Sequence, residues 1–163
     1  MSTHTSTDTL AYPALESRVL KEGYGPGAWH GADLKAALAD VTADVAFWRP
    51  AAARHNIAEI ALHHAWSARN VRARLSGQTL PPFVMAGEDW FEIADQRTLS
   101  WKRVLATVEL EQQQLARFVA DVEAGKVTAS VSDEERFDLV LGITSHAIYH
   151  AGQIQLIKKL NEE

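Results

Sequence analysis

Cysteine is absent from the 163 residues, and with it go disulfides, thiolate metal sites and any cysteine nucleophile. A basic field is missing too: 16 Lys and Arg against 21 Asp and Glu leave a net charge of −5, so nothing holds nucleic acid or an anionic membrane nonspecifically. No segment approaches the run of about 20 apolar residues that a membrane span needs. Residues 1–9 are polar, without a basic leader or an apolar run, which speaks against a signal peptide and makes the cytoplasm the expected location. Sustained strand alternation, internal repeats and low-complexity tracts are lacking as well. With 47% hydrophobic and 23% charged residues, what is left is a single globular domain large enough for one well-buried core.

What is present is concentrated near the C-terminus, in Ser145-His146-Ala147-Ile148-Tyr149-His150-Ala151-Gly152-Gln153-Ile154. Two histidines four residues apart on a helix lie about 40° apart around its axis and project from one face. At heptad spacing that face reads Leu139, Ile143, His146, His150, Gln153, Ile157 and Leu160, so three consecutive polar positions interrupt an apolar seam. A buried polar group without a partner costs roughly 1 to 3 kcal/mol, and a contiguous trio therefore calls for partners. A divalent cation is an efficient one, accepting neutral imidazole nitrogens and normally taking at least a third protein ligand. The competing reading packs one histidine in the core and turns the other to solvent.

Along the chain, residues 1–8 read as a flexible tail and 9–163 as the domain. Asp8 or Thr9 caps a first helix to about Lys21, with Pro13 in its first turns and Tyr12, Leu15 and Val19 as its apolar stripe. The glycine-rich stretch 23–31 follows no strand and lacks the Lys-Ser/Thr ending of a phosphate-binding loop, so it is a connection. Asp33 opens a short helix through Val41, and Thr42 another before Arg49-Pro50. His30 and His55 fall in the flanking loops and read as surface groups. A long helix covers residues 56–75, where Ile57, Ile60, Val71 and Leu75 share a side; His64 falls among them and His63 at their edge. The loop that follows reaches about Gln96 and carries Phe83, Met85, Asp89, Trp90, Phe91 and Ile93, either a lid over a helical core or a cover for exposed apolar surface. Residues 98–123 form a third long helix, interrupted near its middle by Glu111 and Gln112, either of which is within range of approaching the histidines. A linker, 127–131, leads to Ser132-Asp133-Glu134-Glu135, a capping-box spacing that opens the last helix, and this runs to about Leu160. Four substantial helices with long connections make an all-α four-helix bundle, an architecture in which facing helices build metal sites.

Asn56-Ile57-Ala58-Glu59-Ile60 followed by His63 and Trp66, together with His146-x3-His150-Ala151-Gly152-Gln153-Ile154, resembles the DinB/YfiT-like superfamily of metal-binding four-helix-bundle proteins. Ala28-Trp29-His30-Gly31 and Asp89-Trp90 look like one of its subgroups, so the likeness spans nearly the whole chain. The resemblance implies a divalent ion, nickel or zinc, held by three histidines, which fall here on His63, His146 and His150. Periodicity favours His64 as the inward residue of α-helical segment 56–75, and His64 stays open as the alternative. Relatives of this kind include transferases that act with low-molecular-weight thiols, others described as hydrolases, and others known only as damage-inducible proteins.

Three neutral imidazoles leave such an ion its full charge and at least one open position, where water or an incoming thiol is activated. Because the chain has no cysteine, any thiol comes from a cosubstrate. Gln153, one turn beyond His150, is a candidate to bond a metal-bound water or substrate, or else to support a ligand; Glu59, four residues before His63, is a candidate supporting group or general base. A metal-dependent thiol transferase acting on a small electrophile is the leading expectation, against a metal-dependent hydrolase and a non-catalytic metal-binding stress-response protein. Family habit and an aromatic supply of five Trp, five Phe and three Tyr add the expectation of a homodimer.

Overall fold

A computed structural model describes residues 14–162. The described residues form six helices and no strand: α1 (Leu15–Tyr24), α2 (Leu34–Leu38), α3 (Ala43–Phe47), α4 (Ile57–Ser76), α5 (Trp101–Glu123) and α6 (Asp133–Asn161). The four longer ones make the bundle, in which α4 packs on α5 and α6 while α1 packs on α6 and α5. The short α2 lies against α6, and α3 against α4.

Local chemistry explains where the helices begin. At the start of α4 the Asn56 side chain accepts a hydrogen bond from the Glu59 backbone at 2.8 Å, and the Glu59 carboxylate accepts one back from the Asn56 backbone, satisfying two donors that a helix end would otherwise leave open. Gly77, at φ 67°, ends the same helix in the left-handed region. Ser100 caps α5 by accepting from the Arg103 backbone, and Ser132 caps α6 by accepting from that of Glu135. The return half of the expected box at Ser132 is replaced: the Glu135 carboxylate takes a hydrogen bond from Arg74 Nε at 2.9 Å instead. Asp133, Glu134 and Glu135 at the start of α6 and Lys158 and Lys159 at its end suit the helix dipole.

Two apolar clusters fill the interior. One gathers Ile57, Leu62, Val104, Val108 and Ile154 with Phe91 and Ile93 of the 77–100 connection. The other gathers Leu20, Leu75, Leu115, Val119, Val140 and Ile143. Burying a side chain such as Leu62, Leu115 or Ile154 completely stabilises the fold by about 1.5–3 kcal/mol. The changeover between clusters falls between Ala65 and Ala68 on α4, between Val108 and Leu115 on α5, and between Ile143 and Ala147 on α6. His63, His64, Gln112 and His146 all lie at or beside that level.

Several expectations shift by a few residues. The first helix begins at Leu15, because Ala14 sits at φ 63° and cannot continue a right-handed helix backwards; the proposed caps Asp8 and Thr9, with Tyr12 and Pro13, lie outside the described residues. Its buried face is Glu16, Leu20, Gly23 and Tyr24, and Leu15 is exposed. Gly23 is there because a Cβ would come within 3.0 Å of the Thr144 carbonyl and the Ala147 side chain, so its absence lets α1 close on the histidine-bearing helix. On α6 the buried line is Val140, Ile143, Ala147, His150, Ile154 and Ile157, which leaves His146 and Gln153 at its edge and Leu160 exposed. The long connection has no helix or strand, and its Phe91 and Ile93 are buried.

The α4 cap also anchors that connection: Asn56 Nδ2 donates to the Ile93 carbonyl at 2.8 Å and the Ile93 N–H donates to Glu59 at 2.9 Å. Asn56→Ala removes the cap and leaves the Ile93 carbonyl unpaired, and is expected to lower stability by about 1–2 kcal/mol in urea denaturation. A change under a few tenths of that would mean that the cap does not fasten the loop.

Candidate metal centre

His63 on α4 and His146 and His150 on α6 are brought together, each offering a nitrogen within 4.8 Å of the others. His146 Nε2 lies 3.0 Å from His63 Nε2 and 3.1 Å from His150 Nε2. Which of these nitrogens carries a hydrogen follows from what the opposite ring nitrogens touch. His150 Nδ1 is 2.7 Å from Gln153 Oε1, an acceptor only, so Nδ1 holds the proton and Nε2 a lone pair. His63 Nδ1 is 3.0 Å from the Asp89 carbonyl and 3.1 Å from its carboxylate, with the same consequence. For His146 the argument takes one more link. His64 Nε2 donates to Gln112 Oε1 at 3.2 Å, which makes His64 Nδ1 the acceptor for His146 Nδ1, also at 3.2 Å.

All three Nε2 atoms thus present lone pairs to one another, an arrangement that repels unless a cation stands between them. Nitrogens about 2.0–2.1 Å from a shared ion, at angles from roughly 90° to 109°, lie about 2.8–3.4 Å apart, a range that holds both spacings from His146. His146 and His150 are also held towards the neutral form, as a ligand must be. Burial, then the neighbouring His150, His64 and His63, pushes His146 down to about 3. Burial lowers His150 too, against the opposing pull of its bond to Gln153. Complete burial takes His64 down to about 4. The donor set therefore fits a divalent ion that favours imidazole, and each donor is fixed by an outer partner.

The 77–100 connection completes one side. Asp89, at φ 62°, adopts the left-handed turn that aspartate tolerates better than most residues, and this brings both its carbonyl and its carboxylate to His63. The next residue, Trp90, lies between His55 and His63, stacked at centroid distances of 3.8 and 3.9 Å and within 9° and 5° of parallel. Beside the centre opens a cavity of about 540 Å³, to which Trp90, His150, Gln153 and Tyr149 contribute.

The remaining candidates take distinct places. His64 is fully buried, as its periodicity has it, and bonds His146 rather than joining the Nε2 group. Gln112 approaches the histidines through His64, whereas Glu111 does not, being paired with Arg69 and Arg72. Gln153 has both ends engaged, accepting from His150 and donating to Tyr149 Oη at 3.1 Å. Glu59 is held by Arg49, by His55 and by the Asn56 and Ile93 backbones. Burial raises its pKa, but the Arg49, Ile93 and His55 hydrogen bonds outweigh it and keep the carboxyl below its usual range, so Glu59 is a poor base and instead fastens the structure around His55. His30 is exposed, bonded to the Glu22 carbonyl; His55 is exposed yet stacks on Trp90, a contact its loop position gave no hint of. Among the described residues, no helix is long and apolar enough to cross a membrane.

The family model described as the DinB superfamily matches residues 28–154, a stretch that includes all four clustered histidines, Gln112 and Trp90. No curated protein and no solved structure matches the chain.

Metal content of purified variants tests the ligand assignment. His63→Ala, His146→Ala and His150→Ala are each expected to lose the ion, while His64→Ala keeps it with affinity lower by about 10–100-fold, as befits a residue acting through His146. Full occupancy in His63→Ala together with none in His64→Ala would exchange the two residues' roles.

Proposed function

The chain belongs to the DinB superfamily, and from that premise and the convergence of three imidazole lone pairs we propose a divalent-metal-dependent enzyme that uses a low-molecular-weight thiol on a small electrophile. His63, His146 and His150 hold the ion, for which nickel and zinc suit an all-imidazole set. Bound there, it supplies the positive charge that favours the thiolate form of a small thiol, strengthened by the low dielectric of the bundle.

The chain's own residues do the rest. Asp89, His64 and Gln153 orient the three rings, Trp90 covers one face of His63, and the adjoining cavity receives the organic part of the reactants. The observation that carries the thiol reading over hydrolysis is the state of the carboxylates. Glu59 is tied to Arg49 and Asp89 is turned to His63 Nδ1, which leaves neither well placed to take a proton from water, whereas a thiol, the stronger acid, gives its proton to solvent on ionising and then attacks as the thiolate. Small thiols are kept reduced in the cytoplasm, the compartment this reading assigns.

Bacillithiol, mycothiol and glutathione are to be offered in turn to the metal-loaded protein with chlorodinitrobenzene. The expected result is a metal-dependent conjugation rate with one of them, abolished in His146→Ala. Metal-dependent cleavage of a simple ester without any thiol, and no conjugation, would move the assignment to hydrolase.

We also propose a homodimer formed through the outer face of α6. Leu141 is exposed there beside Gly142, Ser145 and Gly152, the face continues into Tyr149, Leu156 and Leu160, which also line the cavity, and no charged side chain intervenes between Asp138 and Lys158. Sedimentation at micromolar concentration should give twice the chain mass, and Leu141→Glu with Ser145→Glu should give the monomer; a monomeric wild type would dispose of the interface.

A further inference from the structure

We infer that the cavity beside the three histidines binds an organic anion whose acidic group is held by Arg54. The inference deepens the thiol-transfer reading and rests on it for the identity of the site. Arg54 is the one residue with a fixed charge on the cavity wall, and no aspartate or glutamate lines that wall. In a chain with an excess of acidic residues, a carboxylate-free hollow is a local reversal of sign. Among the described residues Arg54 makes no ion pair, although twelve other Lys, Arg and His side chains do.

Its backbone, by contrast, is fixed. The Arg54 N–H donates to the Ala51 carbonyl at 3.0 Å, and the Arg54 carbonyl accepts from Arg49 Nη1 at 2.8 Å. Arg49 is in turn paired with the buried Glu59. Arg54 also borders the neighbouring hollow, which Glu59 and Glu92 line with it; the first of these is already neutralised by Arg49. Arg54 is thus a guanidinium on an anchored turn, with its donors uncommitted and facing a space of about 540 Å³, well within the range for small-molecule sites.

The rest of the wall says what the anion is attached to. Ile60, Leu156, Ile157 and Leu160 supply apolar surface, while His150 and Gln153 mark the end next to the metal centre. A ligand that satisfies both has an acidic group at Arg54, an apolar or aromatic middle on the aliphatic wall and its reacting atom towards His150. A guanidinium recognises a carboxylate, sulfonate or phosphate through paired N–H donors, and its orientation fixes the molecule better than an ammonium does. The acidic group belongs either to the electrophile or to the thiol.

Calorimetric titration of the zinc-loaded protein with 4-phenylbutyrate and with its uncharged amide tests this. Wild type should bind the acid at least about tenfold more tightly than the amide; Arg54→Gln should erase that preference and Arg54→Lys retain part of it, all with unchanged zinc content. An equal affinity for acid and amide, or a preference that survives Arg54→Gln because the acid sits on the ion, overturns the inference. Zinc content is read on the same samples, so a failure of the metal site is told apart from a failure of Arg54. In turnover, a rise in KM for the thiol alone or for an acidic electrophile alone in Arg54→Gln says which reactant carries the anion.

Discussion

The structure depends on a layer of polar groups that crosses the bundle between two apolar clusters. α4 contributes His63 and His64 to it, α5 contributes Gln112, and α6 contributes His146 and His150. Such a layer is costly unless every member finds a partner. Here each ring nitrogen that faces outward has one: Asp89 for His63, Gln112 and His146 for His64, and Gln153 for His150. The nitrogens that face inward have only one another. The surrounding hydrogen bonds thereby leave a deficit at one point and of one sign, the kind of deficit that a cation removes.

The same constraint explains why the 77–100 connection is ordered without helix or strand. It is held at Ile93 by the α4 cap, in both directions, and at Asp89 by His63. Between those anchors Trp90 has little freedom and lies flat between two imidazoles. The cap of a helix, ordinarily a matter of stability alone, here also sets the position of the Trp90 ring against His63.

Much of this was legible in the sequence, and the reasons for what was not are local. Helix content followed from periodicity and from the capping spacing at Ser132, and the polar break at His146 and His150 followed from the seam. The start of the first helix was missed because the left-handed turn at Ala14 has no sequence signature; alanine does not ordinarily favour that conformation. Of the seam, Ile143, His150 and Ile157 lie on the buried line, whereas 139, 146 and 153 fall one position before its other members, Val140, Ala147 and Ile154, since the apolar stripe of a globular helix is not confined to a strict heptad seam. The part played by His55 was hidden because it arises from a ring stack across two loops, and no spacing rule connects residues 55, 63 and 90.

The adjacent pair His63 and His64 shows how periodicity and motif, which pointed to different residues, are reconciled. Neighbours on a helix project about 100° apart, so they cannot serve one point in space. Periodicity ranks by depth and chose His64, which is the more buried of the two. Depth, however, is where a supporting group belongs: enclosed, neutral and bonded between Gln112 and His146. A ligand must meet the ion from beside the cavity, with one nitrogen turned inward and the other reaching the loop, and that position lies at the edge of the stripe. His63 stands there, with Nε2 towards His146 and Nδ1 at Asp89, which is the arrangement the proposed ligand set requires.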